Sequence, residues 1–580
     1  MLNEFKAPSH GGGGGEIWID DIRRAFGSDE NARPVCVRLE CLDGTERRFF
    51  CPIPRWGTEE ERGFVLEYLK ARVFNILSCF SGRALHICLD TGDTELMALA
   101  EECLSAFETV PGLKKVYNIA QRLCRGLGYP PFRADIEDAT GVLPSETPVT
   151  EMENSLAERL MYAVERSMSG AYCGIDVGGT DIKLAAALDG RLVAVKEFDW
   201  NPAKSGRAEN IIQPIVLLAR LMRTAIAADA LPEDSPERGK LMSALRKDAD
   251  IEEMEAVCAA FEGAERLPRF SGIGLSFPDV VVGGRILGGE TPKTMGMREN
   301  PDIDYEMEFE KLSDIGQTLK ELCLPGAEVR IINDGAMAAF SAAAELAHQD
   351  AKLLKNGIIA HTLGTDLGTG LLTAGGSIPE LPLELYDLMI DLGSAAEKAL
   401  PPEDMRSVRN ENSGLAGMRR YLGQAAAYRL AYELEPELLD GFVQMSGGCL
   451  SIKREPRDMR KPCLEHLMRA AAENDPAARE VFRRIGVNLG RLTREMEYLL
   501  STGTGTRYVF GRFVKEKACF ELIKQGFNEL LPEYELRPAD DSLALSPLMR
   551  QLSALDGVSL AQFAQAVGAI YFSKMGEGQK

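Results

Sequence analysis

The 580-residue sequence predicts an α/β fold in which one pattern occurs twice, an antiparallel meander with a glycine-rich turn followed by helices. Mixed strands and helices before it predict an added N-terminal α+β domain. Three observations carry the prediction: a glycine-rich turn at 178–180, an Asn333-Asp334 pair ending an apolar run, and a second glycine-rich turn at 364–370. Both turns lie between apolar runs, as hairpin turns do. The length alone predicts two or three domains.

Composition and charge narrow the class of protein. Hydrophobic residues make up 45% and charged residues 27%, which are ordinary globular values. The formal net charge of -22, from 88 acidic and 66 basic side chains, disfavours a nucleic-acid or anionic-membrane partner, because both need a basic footprint.

The cysteines and the apolar runs predict a cytoplasmic location. The thirteen cysteines are scattered without a C-x-x-C pair, which is typical of a reducing compartment. The sequence contains no run of about 18 apolar residues, so no transmembrane helix is predicted. The first sixteen residues lack a basic-then-apolar signal pattern.

The chain divides into four predicted segments. They are a flexible lead-in (1–15), an N-terminal α+β accessory domain (16–150), a first lobe (151–335) and a second lobe (336–580). The five glycines Gly11–Gly15 are assigned to the lead-in because no Gly-Lys-Ser/Thr follows them, as a phosphate-binding loop would require. Residues 140–150, with Pro144 and Pro148, are the best linker candidate.

The accessory domain begins with a predicted hairpin. Val35–Leu42 and Glu46–Cys51 are strand-like around an Asp43-Gly44 turn. Helix Glu59–Leu77, strand Arg83–Leu89, and helices near Glu95–Glu108 and Gly112–Leu127 follow. No catalytic constellation is visible in this domain.

The first lobe begins with a predicted helix, Glu151–Met168, and then a three-stranded meander. Its strands are Cys173–Ile175, Ile182–Leu188 and Arg191–Phe198, separated by turns rich in Gly and Asp. A helical region from Asn210 to about Glu265, broken at Leu231–Lys240, the buried strands Gly272–Leu275 and Val329–Ile332, and the Ala-rich helix Gly335–Leu346 complete the pattern.

The second lobe begins with strand Gly357–Thr362 and a similar strand–turn–strand. Predicted helices follow at Leu415–Glu433, Cys463–Glu473, Pro476–Leu500 and Lys515–Leu531, with a short strand at Arg507–Phe510. Helix Leu560–Tyr571 closes the chain, with Ser559 placed to cap it.

The two glycine turns and the pair between them predict phosphotransfer. Glycine lets phosphate oxygens approach bare backbone N–H groups, and a carboxylate at a strand end is available for proton or metal chemistry. Transfer to a hydroxyl needs a positioned γ-phosphate, Mg²⁺ and an acceptor for the hydroxyl proton.

In this order the segments resemble the hexokinase–actin–chaperone ATPase superfamily, and within it most closely the ROK family of sugar kinases and sugar-responsive repressors. The resemblance covers roughly residues 170–575. The matching segments are the first phosphate motif at 176–180, a Gly-x-x-x-Pro turn at 274–279, the Asn-Asp segment at 333–339, the second phosphate motif at 364–370 and an adenosine motif at 509–514.

The resemblance implies two ribonuclease-H-like lobes (the actin-like ATPase fold) around a cleft that binds ATP and Mg²⁺. Asp334 would be the catalytic base, and Asp176 would orient Mg²⁺ through water. The implied phosphate and nucleotide contacts are Gly178, Gly179, Thr180, Gly364, Thr365, Gly368 and Gly511. The implied sugar contacts are Asn333, Glu384, Asp387 and Pro278.

Two departures concern the acceptor. The family's Glu-x-Gly-His reads Glu384-Leu385-Tyr386-Asp387, so the histidine is replaced. Its cysteine-rich zinc knot is missing, with Asn412–Ala416 in its place, so no structural zinc is expected. The acceptor therefore stays open among sugars, amino sugars and polyols, and a homodimer is possible.

Several residues have simpler interpretations. Asp334 would also suit the N-cap of the helix that follows, and Asp176 an ordinary turn. Asp366 stands where the family commonly has a small residue, and Lys183 lies on the same strand face as Asp181, as a surface pair would. His361, inside an apolar strand, suits a core role.

The motifs and their departures from the family pattern are compatible with three functions. The first is ATP-dependent phosphorylation of a sugar or sugar-like hydroxyl. The second is a sensor that binds sugar or nucleotide without turnover and signals through the accessory domain. The third is an ATPase acting on a protein partner.

Overall fold

The computed structural model describes most of the chain outside its ends and a few internal segments. The described residues are 15–139, 169–262, 267–288, 292–354, 356–364, 367–373, 378–379, 381–393, 400–409, 417–503, 506–539 and 541–575. Nearly all of the predicted lead-in, the linker at 140–150 and helix Glu151–Met168 lie outside these residues. Thr365, Asp366 and the segment Asn412–Ala416 do so as well.

The accessory domain is a four-stranded sheet with helices, in the strand order β2–β1–β3–β4. The predicted hairpin is present, with Cys36 opposite Phe50 and Glu40 opposite Glu46, and β4 is parallel to β3. Its elements are α1 (Ile19–Gly27), β1 (Cys36–Glu40), β2 (Glu46–Phe50), α2 (Glu59–Phe80), β3 (Ala84–Leu89), α3 (Thr94–Thr109), α4 (Pro111–Gly126) and β4 (Arg133–Asp138).

The first lobe is built on a five-stranded sheet in the order β11–β8–β5–β6–β7. Strands β5, β6 and β7 form the antiparallel meander, while β8 and β11 run parallel to β5. This is the ribonuclease-H-type order. The strands are β5 (Ala171–Val177), β6 (Asp181–Leu188), β7 (Arg191–Asp199), β8 (Phe270–Phe277), the short pair β9 (Val281–Val282) and β10 (Arg285–Ile286), and β11 (Cys323–Asn333). The helices are α5 (Glu209–Ala228), α6 (Pro236–Ala244), α7 (Ile251–Phe261), α8 (Met295–Arg298), α9 (Tyr305–Ser313) and α10 (Ile315–Lys320).

The second lobe repeats part of that plan in a sheet of order β13–β12–β16–β17. Strand β13 is antiparallel to β12, and β16 and β17 continue in parallel. The elements are α11 (Asp334–Gln349), β12 (Ile358–Leu363), β13 (Leu367–Leu372), α12 (Gly423–Leu434), β14 (Val443–Ser446), β15 (Cys449–Ile452), α13 (Arg460–Ala472), α14 (Pro476–Leu500), β16 (Thr506–Gly511), α15 (Lys517–Leu530), β17 (Leu536–Pro538), α16 (Pro547–Ser553) and α17 (Leu560–Ser573).

The apolar cores show how the accessory domain and the two lobes are joined. One apolar cluster contains residues of the accessory domain, such as Phe74 in α2, together with second-lobe residues such as Leu489 in α14. The accessory domain and the second lobe thus share one core. The last helix, α17, packs on β5 and β8 of the first lobe and on α11. The chain therefore crosses between lobes at both α11 and α17.

The predicted fold class is confirmed, with local differences. A third meander strand is missing from the second sheet within the described residues, and helix α12 begins at Gly423, after a short 3-10 turn at Met418–Arg420. Ser559 occupies the N-cap of α17, but its side chain makes no capping hydrogen bond. Strand β4 was missed because its sequence, RADIED, is charged and belongs to a sheet edge. The two-stranded β14–β15 hairpin was missed because its first strand is largely exposed and polar.

Helix α5 is long and apolar enough to cross a membrane, and it is the one described helix that passes this test. About two thirds of its most apolar window, 67%, is buried inside the protein. All thirteen cysteines lie in the described part of the chain as free thiols, and twelve of them are buried.

Candidate active site

The first glycine turn joins β5 to β6 at the end of the first-lobe sheet. The Gly178 amide donates to the Asp181 carbonyl at 2.8 Å, and the Trp200 indole donates to the Gly178 carbonyl at 3.0 Å. The backbone amide of Gly178 is therefore engaged within the turn and is not the open donor that the motif predicted. Gly179 and Thr180 are exposed and leave their side of the turn accessible.

Asp176 lies one residue before the end of β5, directly opposite Lys183. The Ser276 hydroxyl donates to its Oδ1 at 2.9 Å. Burial raises the pKa of Asp176 to about 6, against the effect of Lys183, and the carboxyl of Asp334 adds to the rise. Asp176, near the end of β5, and Asp334, just after β11, are thus electrostatic neighbours on either side of β8.

Lys183 lies in this cluster as an ion-paired residue. Its ammonium pairs with Asp181, as the simpler interpretation predicts. Burial lowers the pKa of Lys183, but the carboxylates of Asp176 and Asp181 outweigh this effect, so the pKa is raised.

The Asn333-Asp334 pair forms the junction between β11 and α11. Asn333, not Asp334, is the N-cap: its Oδ1 accepts from the amides of Gly335 at 2.9 Å and Ala336 at 3.4 Å. The Asn333 side-chain amide donates to the Asp279 carbonyl at 2.9 Å. Asp334 follows as the first helical residue, half-buried, with Oδ1 accepting from the Gly335 amide at 2.8 Å.

The second glycine turn joins β12 to β13, and β13 touches the start of α11. A Cβ atom at Gly335 would lie 2.3 Å from the Thr369 carbonyl oxygen, and one at Gly370 would lie 1.8 Å from the Gly335 carbonyl oxygen. Only glycine permits this backbone contact. The residue after Asp334 is thus held against the strand that leaves the second turn. In that turn, the Gly364 carbonyl accepts from the Gln424 amide at 3.0 Å, and Gly368 lies at the start of β13.

We expect Gly370→Ala to destabilise the protein by about 1–3 kcal/mol, as overpacking of a close contact does. The new methyl group must push β13 away from the start of α11, so activity should fall together with the melting temperature. Thermal unfolding and turnover of the variant test this expectation.

Gly239→Ala is the matched control. Gly239 lies inside helix α6 with no atom within 4 Å of an added Cβ. This substitution should be neutral or slightly stabilising, because alanine is the better helix former. Equal behaviour of the two variants would contradict the assigned contact.

Gly511, at the end of β16, is held by the same close packing. Its φ is +98°, and a Cβ there would lie 2.3 Å from the Leu363 carbonyl oxygen. It is paired with Leu363 in the register, next to Gly364 of the second turn. The backbone contact alone accounts for the glycine, and the role in making room for a nucleotide stays a prediction.

The predicted acceptor contacts lie around a buried group of carboxyls. Glu384 precedes the 3-10 turn Leu385–Asp387, Asp387 is the last residue of that turn, and Asp279 follows Pro278 after β8. Asp279 is 1% exposed and Glu384 is 7% exposed. Among the described residues no hydrogen-bond partner is found for Asp279 Oδ2 or Glu384 Oε2. Two buried carboxyl oxygens are therefore without a hydrogen-bond partner among these residues, which calls for an explanation.

Burial sets the protonation of these two carboxyls. It raises the pKa of Glu384 to about 8, with Lys115 opposing the rise and Asp387 and Asp279 adding to it. It raises the pKa of Asp279 to about 6, against the Val280 amide and the charge of Lys293. At neutral pH, without ligand, Glu384 is mostly a neutral acid and Asp279 mostly a carboxylate.

Sequence reasoning missed three residues at this site. The sequence places Asp279 only within the Gly-x-x-x-Pro turn at 274–279. Lys293 has its Cε 3.4 Å from the position of a Cβ on Gly179, and its ammonium donates to the Pro278 carbonyl at 3.3 Å. Lys115 belongs to the accessory domain and pairs with Asp387. Only the aspartate lay near a motif, so no sequence signal marked the two lysines.

Basic side chains from both lobes influence one another beside the first turn. Burial lowers the pKa of Lys515, and the charges of Arg512, Lys461 and Lys183 lower it further. Arg512 and Lys515 follow Gly511, whereas Lys183 is in the first lobe. Glu197 opposes these effects and Lys183 is paired with Asp181, so Arg512, Lys461 and Lys515 are the basic members of a mixed group of charges.

No protein-family model and no curated protein sequence matches this chain. Solved structures do match. A ROK-family glucokinase from Streptomyces griseus, in complex with glucose and AMPPNP, is 18% identical, and the match covers 69% of this chain and 98% of that one at a TM-score of 0.39. A putative N-acetylmannosamine kinase from Listeria monocytogenes is 14% identical, covering 70% and 98% at 0.38.

A ROK-family transcriptional regulator, a homologue of the E. coli MLC protein, is also similar. It is 12% identical and covers 89% of this chain and 100% of the other at a TM-score of 0.38. The glucokinase and the regulator carry the name of the family that the sequence motifs resemble. The fold assignment itself rests on the strand order and register of the two sheets. The first-lobe sheet has the ribonuclease-H-type strand order and the second-lobe sheet repeats part of it, and the chain is similar to ROK-family proteins at 12 to 18% identity.

Proposed function

We propose that this protein is an ATP-dependent kinase that phosphorylates a hydroxyl group of a sugar or sugar-like polyol. One observation carries the proposal: Asp334 lies between the two glycine turns. It is an electrostatic neighbour of Asp176 beside the first turn, and the next residue, Gly335, is in backbone contact with the strand that leaves the second turn.

Asp334 suits the role of general base. It is half-buried at the start of a helix, and Asn333 provides the cap that Asp334 would otherwise supply. In this role the carboxylate would receive the proton of an acceptor hydroxyl as that oxygen attacks.

Asp176 suits a Mg²⁺ ion bound through water. A divalent cation favours the ionised form of this carboxyl, against the burial that raises its pKa to about 6. Bound Mg²⁺ would neutralise charge on the phosphates of ATP. Gly179, Thr180 and Gly364 would line the triphosphate, and Lys293 and Lys515 would balance its charge. Thr365 and Gly368 remain candidates of the same kind.

The acceptor side suits a ligand rich in hydroxyl groups. The unpartnered oxygens of Asp279 and Glu384 can each hydrogen-bond to a hydroxyl, Asp279 as an acceptor and Glu384 as a donor or an acceptor, and Asn333 keeps one amide hydrogen to donate. Pro278 and Asp387 border this group. Burial of these side chains excludes water, which limits hydrolysis of ATP in place of transfer.

An ATP-depletion screen tests the proposal. The full chain with Mg²⁺ is offered glucose, mannose, fructose, glucosamine, N-acetylmannosamine and sorbitol in turn, and each product is identified by mass spectrometry. We expect ATP consumption that depends on one class of acceptor, with a mass gain of one phosphoryl group.

Other outcomes of the screen would support a different function. Calorimetric binding of a sugar without ATP consumption would support the sensor alternative. ATP hydrolysis that needs no small acceptor would support an ATPase acting on a protein partner. Either result would overturn the proposed kinase activity.

A further inference from the structure

The residues predicted to contact the acceptor lie on a segment that the accessory domain holds in place. This segment, residues 381–393, is called the Glu384 loop. The Leu383 amide donates to the Cys79 carbonyl at 3.1 Å, and the Glu384 amide donates to the Ser78 carbonyl at 3.0 Å. Both carbonyls belong to the last turn of α2, where carbonyl groups have no partner within the helix. The end of α2 thus fixes the backbone of Glu384 itself.

Asn75, one turn earlier in α2, fixes the other end of the 3-10 turn. Its side chain accepts from the Met389 amide at 2.8 Å and donates to the Met389 carbonyl at 2.9 Å. Asn75 is fully buried, so loss of these bonds would leave polar groups without partners. The accessory domain therefore bonds to the Glu384 loop on both sides of Glu384 and Asp387.

Helix α4 adds a charged contact to the same loop. The Lys115 ammonium pairs with Asp387 and lies 3.5 Å from the Tyr386 hydroxyl. The two charged side chains are 5% and 1% exposed. A buried pair of this kind is costly to break, because the remaining charge is left without compensation.

The other end of α4 contacts the first lobe. Arg122 makes two hydrogen bonds to Glu306, at 3.2 and 2.9 Å, and Leu123 packs with Val280 and Leu287. Val280 follows Asp279, the second buried carboxyl with an open oxygen. One helix of the accessory domain therefore reaches the acceptor residues of both lobes.

We infer that the accessory domain forms one wall of the acceptor site, with Asn75 and Lys115 as residues that position the Glu384 loop around a hydroxyl-rich acceptor. The inference rests on the proposed function for its ligand. It assigns a role to a domain in which the sequence shows no catalytic constellation. Neither residue touches the reacting atoms, so both act through Glu384 and Asp387.

Kinetics of Lys115→Met test the link to the acceptor. With the panel sugar that gives the highest kcat/KM, we expect the KM for the sugar to rise about tenfold or more, the effect of about 1.4 kcal/mol of lost binding. The KM for ATP should stay within twofold. Lys115→Arg should recover much of the loss, and Lys114→Met, at an exposed site on the same helix, should change neither constant.

Hydrogen exchange of the ligand-free full chain tests the positioning without any substrate. In Asn75→Ala and in Lys115→Met, the amides of the Glu384 loop should exchange at least tenfold faster than in the wild type. The amides of α5 serve as the internal reference. Two variants are used so that a folding failure of one leaves the other to decide.

The outcomes separate the two proposals. If no acceptor on the panel is turned over, the proposed function fails. Faster exchange of the Glu384 loop in the variants would still support the inference that the accessory domain positions this loop. Unchanged exchange in the loop, or equal increases in the KM values for sugar and ATP, would overturn the inference.

Discussion

Asp334→Asn is expected to lower kcat about 10²–10⁴-fold, the usual contribution of a positioned general base. Asparagine has nearly the same shape, and its oxygen can still accept from the Gly335 amide, which lies 2.8 Å from Asp334 Oδ1. The start of α11 should therefore keep its geometry, and the loss should appear in the chemical step. Initial rates at saturating ATP and acceptor, with melting temperatures, measure both effects.

Asp250→Asn is the control for this prediction. Asp250 is an exposed N-cap whose side chain accepts from the Glu253 amide at 2.7 Å at the start of α7. Asparagine is an equally good cap there, so activity and stability should stay at the wild-type level. If Asp334→Asn also kept wild-type turnover, Asp334 would have no part in the mechanism.

The glycine turns and the Asn-Asp pair could be predicted because their signals are local. A turn between two apolar runs, or a polar pair at the end of a strand, is visible within ten residues of sequence. The strand order that brings the turns together follows from the same pattern, since the meander and its parallel continuation define the first sheet.

The walls of the site could not be predicted, because they depend on contacts far apart in sequence. Lys115 and Asp387 are 272 positions apart. Lys115 is one of two adjacent lysines in an amphipathic helix, and nothing in that helix indicates a buried partner. Lys293 lies beside Gly179, and no sequence motif includes Lys293 or predicts this contact. Such contacts emerge only when the domains share a surface.

Long-range burial also explains why the accessory domain was predicted as a separate unit. Helix α2 is apolar over most of its surface, with buried residues in every turn after the first. That pattern indicates a core helix, but not which partner covers it. The partner is the second lobe, and a buried ion pair between α2 and α14 marks the contact.

Arg72→Met should destabilise the protein by about 3–5 kcal/mol, the cost of leaving one member of a buried ion pair alone. Arg72 of α2 and Glu495 of α14 are both 0% exposed, and the Asn75 amide donates to the same Glu495 oxygen at 3.1 Å. The variant leaves the Glu495 carboxylate in an apolar core. Thermal unfolding followed by circular dichroism should show a lower melting temperature.

The double variant Arg72→Met/Glu495→Met should recover much of that loss, because two apolar side chains of similar size can replace a buried pair. Arg62→Met, in the same helix, breaks the largely exposed pair with Glu102 and should cost less than about 1 kcal/mol. If Arg72→Met were as mild as Arg62→Met, the Arg72–Glu495 pair would not be a buried contact between the two parts. A large, rescuable loss is the result expected where the wall of the acceptor site and the lobe behind it share one core.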